Sequence, residues 1–107
     1  AKERSVEFTL AKLQEAQGYY EKAIQALSEA VQSQEGSMDP RLAEAFSRSL
    51  AAMDETIQAC RQIIQQDPDN LTVRAYLLTA YREKVNFLEE LMGAEQSAVR
   101  DKSEATL

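Results

Sequence analysis

The sequence predicts an all-α protein, an antiparallel up-down-up bundle of three long helices. Three observations carry that expectation. Apolar residues recur in steps of three and four along three separate stretches, the signature of helices packed at shallow angles. Only three glycines and two prolines occur in 107 residues, too few for the turns of a β-sandwich, and both prolines stand at breaks between the stretches. Ala, Glu, Gln, Leu, Arg and Lys are abundant, and these residues lose little freedom in a helix.

The first helix is expected over residues 5–33. Its apolar stripe is Val6, Leu10, Leu13, Tyr20, Ile24, Leu27 and Val31, with polar Gln17 in the one missing slot. Ser5 suits an N-cap, and Gly36 a terminator just past the end. Gly18 falls in mid-helix, where it costs about 1 kcal/mol relative to Ala. A tolerated defect is favoured there over a close helix approach or a slight bend.

Residues 34–38 form a short connection. Asp39-Pro40 then opens a second helix over 40–66, because Asp caps free N–H groups and Pro is preshaped for a first turn. Its stripe is Leu42, Phe46, Leu50, Met53, Ile57, Cys60 and Ile64. Asp67-Pro68-Asp69-Asn70 interrupts it, since a proline cannot continue the hydrogen-bond ladder. The third helix is expected over 70–92. It carries Leu71, Leu78, Tyr81, Val85, Leu88 and Met92, flanked by Leu77, Phe87 and Leu91. Gly93 serves as its stop signal, and residues 94–107 read as a polar tail, loosely helical or disordered. Each helix is roughly 40 Å long at 1.5 Å per residue. Matched lengths and short loops make neighbours antiparallel, so three stripes converge on one core.

Charge and size narrow the function. The chain is one domain with a net charge of −6. Such an acidic chain disfavours nucleic acid and anionic lipid surfaces. No apolar run approaches the roughly 20 residues of a membrane span, so this piece is not expected to insert directly. The chain opens at Ala1 inside polar helical sequence and reads as an excised or processed piece, with room for targeting or membrane segments upstream.

Catalytic chemistry is sparse. There is no histidine, which removes the commonest general base and the commonest transition-metal ligand. Cys60 is the only cysteine and lies on the core stripe, so it reads as a buried structural thiol. The glycines stand singly, not in a phosphate-binding loop. Asp54-Glu55 and Glu89-Glu90 are adjacent on helices and diverge by about 100°, which suits a solvated face better than a shared substrate. No catalytic residue, cofactor or metal is expected. The candidate partner surface is Tyr19, Tyr76, Arg82 and Lys84, where aromatic and cationic groups can stay exposed. The plainer reading of Arg82 and Lys84 is pairing with Glu on adjacent helices, worth roughly 0 to 1 kcal/mol each.

Two resemblances accompany these readings. Residues 18–31 look like the second helix of a tetratricopeptide repeat, and Asp67-Pro68-Asp69-Asn70 looks like an inter-repeat linker. The later helices are longer than that repeat allows, and no second copy follows at its period. A broader pattern covers roughly Tyr20 to Leu91. It comprises Tyr20-x-x-Ala23-Ile24-x-x-Leu27, Asp39-Pro40, Leu50-x-x-Met53-Asp54-x-x-Ile57 and Asp67-Pro68-x-Asn70. The run Leu77-x-x-Ala80-Tyr81-Arg82-x-Lys84-Val85-x-Phe87-Leu88 completes it. In this the chain resembles the C-terminal region of zinc-finger anti-sigma factors, membrane-anchored bacterial regulators. The resemblance implies a non-catalytic sensory or interaction domain on the periplasmic side of the inner membrane. A protein partner or envelope signal would act on it, and no residue here would touch the sigma factor. The alternative is a cytoplasmic tetratricopeptide-like adaptor that binds a peptide or protein partner. A homo-oligomer is a third expectation, since heptads suit self-association.

Overall fold

The computed structural model describes the backbone of residues 2–105 and the side chains of residues 4–34 and 36–93. Three helices make up the described chain: α1 (Lys2–Ser33), α2 (Pro40–Gln66) and α3 (Leu71–Ala105), with a 3-10 turn at Glu35–Ser37 between the first two. No strand occurs among the described residues. The molecule is an all-α three-helix bundle in which α1 and α2 both pack on α3.

The cap expected at Asp39 is present, and a second, not expected from the sequence, stands at Asn70. Asp39 Oδ1 accepts from the Arg41 N–H at 2.9 Å, with Pro40 at the first helical position. Asn70 Oδ1 accepts from the Val73 N–H at 3.0 Å, so Asn70 caps α3. The α2–α3 turn is closed further by Arg74, a buried cation whose Nε donates to the Pro68 carbonyl at 2.7 Å.

Two expected boundaries differ, while α1 ends at Ser33 as expected. Ser5 lies inside α1, which already runs from Lys2, so it is not the N-cap. Gly36 sits in the 3-10 turn and Gly93 in the middle of α3; neither adopts positive φ, so neither ends a helix in the left-handed conformation. The stop expected at Gly93 is a local signal only. The i→i+4 ladder continues through it because a single glycine weakens a helix without blocking a hydrogen bond. The backbone of 94–105 is helical; the nature of that tail's side chains lies outside the described residues.

Packing fixes the register. Glu21 meets Tyr81, and Val31 clusters with Leu91, so residue n of α1 lies level with residue n+60 of α3 and the two run parallel. Arg61 meets Tyr81 and Phe46 meets Phe87, so α2 runs antiparallel to α3. Since α3 starts at Leu71, α1 extends about ten residues past it. This is why Val6, expected in the core, is exposed together with Phe8. The single core expected from three converging stripes divides into two clusters. One gathers Ile57, Cys60, Leu77, Ala80 and Tyr81; the other gathers Val31, Leu88 and Leu91. Ile24 packs against both. Leu42, also placed in the core stripe, is exposed at the start of α2.

Candidate functional site

α1 and α2 lie side by side on α3 but hardly touch one another. The space between them is a groove of about 370 Å³, lined from α1 by Glu21, Ile24 and Gln25 and from α2 by Asp54, Ile57, Gln58 and Arg61. Tyr81 and Lys84 of α3 form its floor. Each helix contributes here because the residue beside its core stripe is polar: Glu21 beside Tyr20, Arg61 beside Cys60, Lys84 beside Val85.

The polar side chains form two neighbouring sets. The Tyr81 hydroxyl donates to Glu21 Oε1 at 3.1 Å and accepts from Arg61 Nη2 at 2.7 Å and Nε at 3.0 Å. Arg61 Nη2 also reaches Glu21 Oε1 at 3.3 Å, and Gln17 Nε2 donates to the same oxygen at 2.9 Å. One residue from each helix therefore meets at a single point. Nearby, Lys84 Nζ donates to Asp54 Oδ1 and joins α3 to α2. Charge-assisted bonds of this kind are stronger than neutral ones, and half-burial lessens their screening. Burial pushes the Tyr81 phenol above its ordinary pKa; Arg61 opposes that rise and the Glu21 charge adds to it. Burial alone raises the Cys60 thiol in the same way.

The four residues expected to form a partner surface do not come together. Tyr19 is 75% exposed on α1 and meets only the edge of Tyr20, at 6.2 Å between ring centroids. Tyr76 lines a separate cleft between α2 and α3. Arg82 is exposed on α3. Lys84 alone lies in the groove, paired with an Asp rather than a Glu. Glu21 and Arg61 were not singled out by sequence. The available signal was Gln17, a polar residue in a core slot one helical turn before Glu21.

Among the described residues, no group of three or more His, Cys, Asp or Glu side chains is placed to hold a metal ion. None of their helices is long and apolar enough to cross a membrane. Comparison with known protein families, curated proteins and solved structures finds no match.

Proposed function

We propose that this bundle is a non-catalytic sensory and interaction domain, the outer part of a membrane-anchored regulator similar to anti-sigma factors. The observation that supports it best is the groove. Arg61 joins α2 directly to Glu21 of α1 across it, Tyr81 ties both of them to α3, and Lys84 ties Asp54 of α2 to α3. A partner or envelope signal that competes for these half-buried charges shifts α1 against α2, and a membrane helix joined to the bundle carries the shift inward. The sequence pattern from Tyr20 to Leu91 supplies the family part of the reading.

Fractionation and zinc analysis of the native full-length gene product test it. Membrane association with about one zinc, held by sequence outside this chain, is the expected result. A zinc-free product outside the membrane fraction refutes the anti-sigma part and favours an adaptor bundle whose groove takes a peptide.

A further inference from the structure

The other flank of α2, turned away from the groove, carries a second heptad series. Leu42, Ala45, Ser49, Ala52, Thr56, Ala59 and Ile63 follow one another in steps of three and four, and all seven are exposed. None is charged, in a chain where 28% of residues are. Leu42 and Ile63, each 45% exposed, close its ends, and Tyr76 of α3, 60% exposed, stands beside it. Tyr76 shares a cleft of about 240 Å³ with Ala52, Met53 and Thr56. Three of the six large apolar side chains exposed among the described residues thus border this face.

The charges beside the face indicate what covers it. If the series supplies the a and d positions of a coiled coil, the g positions on its solvent side are Arg41, Arg48, Glu55 and Gln62. Arg48 has only a long, exposed contact to Glu44 at 3.9 Å. A second α2 laid antiparallel places g opposite g. A two-fold axis between residues 50 and 51 stacks each a residue on a d residue of the partner subunit and brings Arg48 beside Glu55 of the partner subunit, twice by symmetry. Moving the register by one heptad step sets Glu55 against Glu55 of the partner subunit, and a parallel pairing sets Arg48 against no acidic residue. The small residues at the centre let two backbones approach to the short end of the usual 8–10 Å helix spacing. Charge pattern and shape are therefore self-complementary about one axis, which is what a closed two-fold interface requires.

We propose that the outer face of α2, with Tyr76 at its rim, is a self-association surface that pairs two copies of this chain antiparallel through α2. This does not depend on the function proposed for the groove, which lies on the opposite flank.

Sedimentation equilibrium of the chain from 1 to 300 µM, at low and high salt, tests it alongside Arg48→Glu, Glu55→Arg and the double reversal. These positions are exposed, and circular dichroism verifies that each variant folds. A monomer–dimer equilibrium is expected, weakened about tenfold by either single reversal and restored by the double one; tenfold corresponds to about 1.4 kcal/mol. A monomer throughout the range overturns the proposal. So does a dimer that ignores the single reversals or that the double reversal fails to restore.

Discussion

Tyr81 joins all three helices through one oxygen. Tyr81→Phe keeps the ring in the core but removes the hydroxyl, leaving the contact between Arg61 and Glu21 at 3.3 Å and the Gln17 bond to Glu21. A loss of about 1 kcal/mol is expected, the ordinary worth of a hydrogen bond in half-buried surroundings, and urea denaturation measures it. The same phenol gives a pH dependence with a defined sign. Its folded pKa is raised, so the neutral form is favoured in the native state. That stabilisation is complete below its ordinary pKa of about 10 and disappears as pH rises through the folded value. The advantage of the natural protein over the Phe variant should therefore be constant near neutrality and shrink above about pH 10. An advantage that grew with alkaline pH would contradict the assigned environment. Leu77 is wholly buried, and Leu77→Ala should cost about 2–5 kcal/mol, a large share of the typical 5–15 kcal/mol of a small domain.

Among the elements, α1 carries a glycine that its structure does not require. A Cβ added at Gly18 meets no atom within 4 Å, and its φ is negative, so neither a close helix approach nor an unusual backbone explains it. Gly18→Ala should stabilise the bundle by about 1 kcal/mol, raising the melting temperature by roughly 4–8 °C. A lowered melting temperature would show that α1 needs the missing side chain. The helix start at Asp39-Pro40 was legible because a cap is a local event, settled by one side chain and the N–H group it meets. The limits set by Ser5 and Gly93 were not, because each is permissive and the chain on either side decides whether the helix continues. The site was less legible still. Lys84 was named for its charge, whereas its convergence with Glu21, Arg61 and Tyr81 depends on the sixty-residue offset between α1 and α3. No periodicity within a single helix encodes that offset.

For the molecule as a whole, the stagger makes a direct prediction. Residues 4–9 are exposed on a stretch of α1 that lies beyond the start of α3. Removing residues 1–9 should change the unfolding free energy by no more than about 0.5 kcal/mol, and thermal denaturation checks this. A larger loss would mean that α1 packs over its full length.

Three is an odd number of helices, so the beginning of α1 and the end of α3 stand at opposite poles of a body 67 Å long. The bundle is thus a strut. Two elements fastened to its poles are held apart by the length of the body, and only a bending or sliding of one helix on another changes their separation. A bending of α1 away from α2 re-aims one pole relative to the other, and a disturbance of a few ångströms in the groove becomes a larger sweep at the tip.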